Sequence, residues 1–597
     1  MKANFVVSAE RGIWIPQARK LFACDPYIAH VLEKTGDLDS FDEVKIAPVA
    51  KNSREDFVRD HAFVDQKVRL YLPILIGRLE QIHDSRFGEK FWRKALALSL
   101  LRHVSLCYEL FSICEQYLDP ERHDCQILDQ ACFLVPQDFD EHRKTFQCTE
   151  LGQEQLFSVY CSQFHPGVFA PCRVKSGSIA EVPAQTVVRP RSIWRKVTIK
   201  SILRRLLRYR SPTMGIMNSY FSLENRDKLL FASKGLIQAV PLPTTKIGTD
   251  PLRWKDRETL ASPLPDFDRF DRFAFACLLH GMPRNLVEDF EQTYTELNGY
   301  FDGFRSLNWI VCEGWIGHSL SAFALAVLGL RGVHHLYNEH NYLAHPFVGN
   351  NLKYIFPLVD EFTTLGWSDP AQPNLVPGAS LFNWVENSQI CHEHQILFIS
   401  SVPNTRAPEI NSSYGESGAR VVPDYLNMNK QFFGALSDST LSSMVYRAYP
   451  ARYARHALIW DQTYFLDRFI ARVKIYDDSI VPARVLMQKA RLVVINYLST
   501  SYLEALQANR PTVILWNRSA YHLEDRYSDF WDQLIEAGIC QTDAVSAAEF
   551  VENIKENPEK WWESDKVQRA RKAFLATNIG SPEVMLKHLV DRACSSS

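Results

Sequence analysis

The sequence has no Cys-x-x-Cys pair, although it carries 13 cysteines. Without close pairing it offers neither a structural zinc site nor a disulfide framework. Scattered residues such as Cys24, Cys107, Cys114, Cys125 and Cys132 are expected to be reduced, buried thiols. No Gly-x-x-x-x-Gly-Lys-Ser/Thr stretch occurs, which argues against a P-loop nucleotide triphosphatase. No Gly-x-Ser-x-Gly elbow occurs either, which argues against an α/β-hydrolase. Charge of one sign is also missing: 67 basic residues against 69 acidic ones leave a net charge of −2. A nucleic-acid coat, driven by phosphate neutralisation, is therefore not expected. Met1–Pro16 has one early lysine and a short apolar run broken by Glu10 and Arg11, so it does not read as a signal peptide. The longest nearly uncharged apolar stretch, around Ser319–Leu330, is too short to cross a bilayer. A cytoplasmic location is expected.

What remains is ordinary globular composition over 597 residues, with 46% apolar, 23% charged and 12% aromatic residues. That length allows several domains with sizeable cores or clefts. Apolar periodicity predicts a helix over Val68–His83 with Pro73 near its start, and a second over Phe91–Leu118. Residues 119–185 show no clear period and read as an irregular insertion. Between Arg189 and Arg210 there are nine Lys/Arg and no acid. Lys196, Lys200, Arg204 and Arg208 form one row at i, i+4, and Ile199, Ile202, Leu203, Leu206 and Leu207 another. This basic amphipathic helix either packs its apolar face on the core or lies on an anionic membrane surface.

Beyond it, strand and helix signals alternate. Strands are predicted at Met214–Asn218, Asn308–Cys312, Val333–Tyr337 and Glu361–Leu365. Helices are predicted at Phe267–Leu279, at Pro283–Phe301 with Pro283 in its first turn, and at Ser319–Leu330. Residues 368–394 look like a linker. A second series follows, with strands at Gln395–Ser400, Met444–Tyr449, Val473–Tyr476, Leu492–Ile495 and Thr512–Trp516. Helices at Asn429–Leu441, Val481–Lys489 and Ser501–Ala508 lie between them. Two such series predict an α/β fold with two Rossmann-like domains facing a cleft. The expected division is 1–385, enlarged by a helical region and a basic insertion at about 186–212, and 386–597. Helices near Val567–Phe574 and Pro582–Asp591 are expected to cross back onto the first domain.

The chemistry is sought at strand ends. The buried strand Leu492–Ile495 runs into Ser499, Thr500 and Ser501, which open a helix. Free amides and hydroxyls there suit a phosphate, though any one of these hydroxyls could instead act as a simple cap. Glu504 sits one turn further in, where a carboxylate could accept from a ribose hydroxyl. Arg447, followed by Tyr449 and Pro450, ends a strand in the same domain and could present a guanidinium to phosphate. Ser400 and Ser401 end the first strand of that domain. In the first domain Glu313 follows a strand and is the preferred catalytic base, with His340, next to Glu339, as the second candidate. Asp424 is a candidate nucleophile should the reaction proceed by double displacement. Asp-x-Asp pairs at Asp37/Asp39, Asp138/Asp140 and Asp266/Asp268 occur at about the chance rate. His334, His335, His340 and His345 lack a metal-ligand spacing, so no metal is expected.

Several of these motifs resemble a family of transferases encoded in bacterial O-antigen and surface-polysaccharide clusters, first catalogued from Leptospira. The resemblance rests on Leu79–His83 with Phe91-Trp92-Arg93, Met282-Pro283, Glu313, Leu365-Gly366-Trp367 and Arg447-x-Tyr449-Pro450. It continues through Ser499–Glu504, Pro511, Trp516 and Trp561-Trp562. Relatives often carry His-Gly-Gly where this chain reads Asn338-Glu339-His340. The family looks like GT-B glycosyltransferases and is similar to the bacterial Kdo transferases of that fold. The resemblance implies transfer of Kdo or another nonulosonic acid from a CMP-activated donor to a lipid-linked O-antigen or capsule glycan, with no further cofactor. A UDP- or GDP-sugar donor, a CDP-linked polyol phosphate, and a non-catalytic polysaccharide-binding scaffold are the alternatives. A lipid-linked acceptor would give the basic helix a purpose at the inner face of the cytoplasmic membrane.

Overall fold

The computed structural model of the chain describes residues 2–47, 53–173, 199–245, 248, 250–314, 318–339, 346–349, 352–379, 394–401, 421–448, 469, 472–476, 481–498, 500–518 and 520–595. Two six-stranded sheets dominate, and every strand pair in them is parallel. The first contains Met214–Ile216, Ile237–Ala239, Trp309–Val311, His334–Asn338, Glu361–Thr364 and Leu375–Pro377. Numbered along the chain, its spatial order is 2-1-3-4-5-6. The second contains His394–Ile399, Met444–Arg447, Lys474–Tyr476, Ala490–Ile495, Thr512–Leu515 and Cys540–Gln541. Its order is 3-2-1-4-5-6, the Rossmann order. The fold is thus α/β with two Rossmann-like sheets, as the alternating pattern predicts.

Both faces of the first sheet are covered, so that even its polar strand residues His335, Thr363 and Thr364 are buried. Ile310, Tyr337 and Phe362 join the main core with the helices Glu89–Tyr117 and Ser319–Leu330. Met214, Ile216, Val311 and Leu336 pack instead with Leu229 and with Met585, Leu589 and Ala593 of the last helix, Pro582–Ser595. Each such leucine or methionine contributes roughly 2 kcal/mol on burial. The Glu89–Tyr117 helix is long and apolar enough to cross a membrane, but most of it is buried in this core. Its neighbours include Arg54–Ile82 and Arg269–Gly281.

The carboxyl ends of the two sheets meet. After the fourth strand of the first sheet, Phe347 bridges Leu523, and Val348 N–H donates to the His522 carbonyl at 2.8 Å. Glu524 N–H donates to the Pro346 carbonyl at 2.9 Å. Arg526 pairs with Asp369 at 3.2 Å and Arg54 with Asp525 at 3.0 Å. The chain then returns: Gly580 N–H donates to the Leu365 carbonyl at 2.5 Å before the last helix begins. That helix anchors through Glu361, which binds His588 at 2.5 Å and Arg592 at 2.6 Å.

Several expectations are corrected. The first long helix is Arg54–Ile82, beginning at Ser53, whose Oγ accepts from Asp56 N–H at 3.1 Å; Pro73 is interior to it. Residues 119–173 are not irregular, because they carry the helices Phe139–Cys148 and Glu150–Phe164. The second buries Gln153, Glu154 and Gln155, so no apolar period marks it. The Gln155 side chain both accepts from and donates to the Leu134 backbone, at 2.8 and 3.0 Å. The apolar run Phe5-Val6-Val7 reads as a first strand, and Ala3–Val6 is one; the four-stranded parallel sheet it forms with Lys20–Ala23, Glu43–Ile46 and His123–Asp124 was not anticipated. Pro283 does not open a long helix; it is extended, and the helix is Phe290–Phe301. Part of the expected linker, Leu375–Pro377, is the edge strand of the first sheet; residues 380–393 lie outside the described residues.

Candidate active site

In an open parallel sheet, ligands bind at the carboxyl edge where strand order reverses. In the first sheet that point lies between Met214–Ile216 and Trp309–Val311, and Glu313 sits there. Its carboxylate is buried and accepts from Tyr220 N–H at 3.3 Å, while Oε1 has no hydrogen-bond partner. Burial lifts its pKa from 4.5 to about 7; hydrogen bonds from Ser219 and Tyr220 and the nearby Arg226 pull the other way. Arg226 also ties the loop by donating to the Ser219 carbonyl at 2.6 Å and the Phe221 carbonyl at 3.0 Å. Gly314 lets this loop close: its N–H donates to the Asn218 carbonyl at 2.8 Å, and a Cβ there would meet Asn218 at 2.5 Å.

One strand over, Glu339 ends His334–Asn338. It is buried and accepts at Oε2 from Leu365 N–H at 3.0 Å and Trp367 Nε1 at 2.7 Å, with Oε1 unpartnered. Burial lifts its pKa to about 8. The Leu365-Gly366-Trp367 motif is therefore a clamp for this carboxylate, and Gly366, at φ +147°, supplies a backbone turn that a side chain would resist. Sequence reasoning treated Glu339 only as a neighbour of His340. An acid ending an apolar strand, followed downstream by Leu-Gly-Trp, was the available signal.

In the second sheet the reversal lies between His394–Ile399 and Ala490–Ile495. Ser400 is buried there, with its Oγ 2.9 Å from the Tyr425 hydroxyl, and Ser401 N–H donates to the same hydroxyl at 3.1 Å. Ser400 N–H donates to the Arg447 carbonyl at 3.2 Å, so these two residues are adjacent. Arg447 is buried and donates to the Val481 carbonyl at 3.4 Å. Asn496, which sequence reasoning passed over, follows the next strand; it donates to Asn429 at 2.7 Å and leaves a buried Oδ1 without a partner.

The helix Thr500–Gln507 begins just beyond. Thr500 is half-buried, whereas Ser501 is turned inward, 2.6 Å from the Tyr497 hydroxyl. Leu498 N–H donates to Tyr521 Oη at 3.3 Å, and the Tyr521 ring packs on Phe347 with centroids 5.3 Å apart. This helix mouth is therefore one side chain from the first sheet's loops. Glu504 is buried, and burial raises its pKa to about 7 against the pull of Arg484 and Arg447. Asp424 is exposed in the first turn of Val422–Ala435. His340, Tyr449, Pro450 and Ser499 lie outside the described residues, as do Lys196 and the side chain of Lys200. Among the described residues no group of three or more His, Cys, Asp and Glu is arranged to hold a metal.

Among curated proteins none matches the sequence significantly. Among solved structures, spinosyn forosaminyltransferase SpnP is 10% identical with a TM-score of 0.35, covering 64% of this chain and 100% of its own. A UDP-forming α,α-trehalose-phosphate synthase from Burkholderia vietnamiensis is 9% identical with a TM-score of 0.34, covering 64% of this chain and 99% of its own. A UDP-glucose:anthocyanidin 3-O-glucosyltransferase in complex with UDP is 9% identical with a TM-score of 0.32, again covering 64% and 99%. Scores this low do not establish a common fold. A family model described as LIC12162 family transferase, by contrast, matches residues 3–589. On a match of that extent, the chain belongs to the LIC12162 family of transferases.

Proposed function

We propose that the protein is a GT-B glycosyltransferase whose second sheet binds the nucleotide of an activated sugar and whose first sheet binds the acceptor. The observation that carries this reading is the placement of Glu313 at one reversal point and of Ser400, Arg447 and Asn496 at the other, with the loops beyond both edges in contact. The donor is a CMP-activated Kdo or other nonulosonic acid, and the acceptor a lipid-linked O-antigen or capsule glycan. Both follow from the family resemblance rather than from the site's geometry.

In this reading the acceptor hydroxyl gives its proton to the Glu313 carboxylate as its oxygen attacks the anomeric carbon. The bond from that carbon to the phosphate oxygen breaks, and the nucleotide leaves with the bonding pair. Arg447 and the amides opening Thr500–Gln507 stabilise the charge that grows on the phosphate. A base with a pKa near 7 suits this step, since it is half ionised at neutral pH and still basic enough to take a proton. Glu339, with its raised pKa, stands next along the same edge.

Thermal unfolding with CMP, UDP and GDP tests the donor. A ligand at about 100 times its Kd stabilises the native state by ~2.7 kcal/mol. CMP is expected to raise the midpoint and the others to leave it in place. A rise with UDP or GDP alone replaces the donor, and no rise with any of them favours a non-catalytic scaffold.

A further inference from the structure

The basic helix contradicts the simplest expectation for an amphipathic surface helix. Such a helix turns its apolar face to the core and its charges to water. In Ile199–Leu207 most of the described apolar side chains instead face outward. Ile202 is 50%, Leu203 46% and Leu206 59% exposed, and Tyr209 in the following turn is 78% exposed. Two residues turn towards the protein, both half-buried: Leu207, against Gly235, and a cation, Arg204, which pairs with Asp227 of the neighbouring helix Leu223–Ala232. At about 100° per residue, Ile202, Leu206 and Tyr209 form one stripe with Leu203 on one margin and Arg205 on the other, and Arg208 lies beyond Arg205 towards Arg204. Arg205, Arg208 and Arg210 are exposed.

An outward apolar stripe edged by arginines fits an interface that is apolar within and anionic at its rim. Charge narrows the choice: Arg189 to Arg210 holds nine cations and no acid, which a bilayer surface carrying anionic headgroups complements. We infer that the 199–210 segment is a membrane-surface contact. The Ile202, Leu203, Leu206 and Tyr209 side chains enter the headgroup–acyl boundary, and Arg205 and Arg208 meet lipid phosphates.

Its mounting gives the contact a use. Asp227, which holds Arg204, lies on the helix whose preceding loop carries Ser219 and Tyr220, and Tyr220 N–H donates to Glu313 at 3.3 Å. One short helix thus spans the distance between the outward stripe and the candidate base. Resting on the transfer reaction proposed above, this places the acceptor side of the cleft close to a lipid surface, where a lipid-carried glycan is presented.

Flotation of the full-length protein with vesicles tests the contact. Vesicles of phosphatidylcholine containing about one third phosphatidylglycerol should carry the protein up, pure phosphatidylcholine much less, and added salt should weaken the binding. Leu203→Ser with Leu206→Ser should lower the bound fraction about tenfold. Arg205→Gln with Arg208→Gln should lower it and flatten the salt dependence. These side chains are exposed, so the variants should keep the parent's melting midpoint. Failure to float with anionic vesicles, or equal flotation of the Leu203→Ser/Leu206→Ser variant, overturns the inference. So does a dimer in sedimentation that this variant dissociates in the absence of vesicle binding, since a second copy would then cover the stripe. Vesicle binding without any nucleotide-induced thermal shift supports the contact and counts only against the donor-binding reading.

Discussion

Two buried carboxyls, Glu313 and Glu339, concentrate the chemistry at the level of single residues. Both are held protonated further up the pH scale than an exposed glutamate, because burial penalises the charge more than their few hydrogen bonds favour it. For Glu339 the native pKa is about 8 against an ordinary 4.5. Between those values the native state keeps a proton that the unfolded chain has lost. The stability it contributes is complete below about pH 4.5 and disappears as pH rises through about 8. Glu339→Gln should therefore melt near the parent at about pH 5 and above it at about pH 9, by a few kcal/mol. The amide oxygen can still accept from Leu365 N–H and Trp367 Nε1. Equal pH slopes for the two proteins would show that Glu339 is not held neutral. For Glu313 the proposed role sets the direction in activity: kcat/KM should climb with pH through about 7 as the carboxyl ionises. Glu313→Gln should lose that limb and about 10²–10⁴-fold of the transfer rate while keeping the nucleotide-induced thermal shift. Unchanged turnover would take Glu313 out of the mechanism.

Among elements, legibility in the sequence followed how each one is buried. Parallel strands covered on both faces are apolar throughout, so Leu492–Ile495 and Thr512–Trp516 stood out and fall within two residues of Ala490–Ile495 and Thr512–Leu515. The uncharged, mostly apolar helix Ser319–Leu330 was read to its ends. A helix that buries a run of polar groups was missed. Glu150–Phe164 hides amides that bond to the backbone of Leu134 and Phe146, which no hydrophobic period reports. The candidate site was legible as strand ends and not as contacts. Leu-Gly-Trp signals a carboxylate clamp only when joined to the acid that ends the preceding strand, and nothing in Ser499-Thr500-Ser501 announces that Ser501 turns inward to Tyr497. The sequence reading expected the last helices to cross back onto the first domain, but not that the crossing depends on glycine. A Cβ on Gly580 would lie 1.8 Å from the Gly378 carbonyl oxygen, a backbone atom with no rotamer to give way. Gly580→Ala should cost about 3 kcal/mol in urea unfolding. It should also perturb Glu339, because Leu365 accepts from Gly580 at its carbonyl and donates to Glu339 at its amide. An unaltered urea midpoint would mean that the crossing is loose.

At the scale of the whole molecule, two parallel sheets meet at their carboxyl edges, and the polypeptide closes the arrangement by returning to where the first sheet stands. Met585, Leu589 and Ala593 supply part of one wall of that sheet, and Glu361 holds His588 and Arg592 at its far edge. A ribosome makes the protein in one direction, and domains generally mature as they emerge. Here the lobe whose strands are synthesised earlier must wait with Val311 and Leu336 uncovered, while the lobe made later can finish at once. A product stopped near residue 578 would thus carry a finished second sheet and a first sheet with one wall bare, and on the function proposed above it should be inactive.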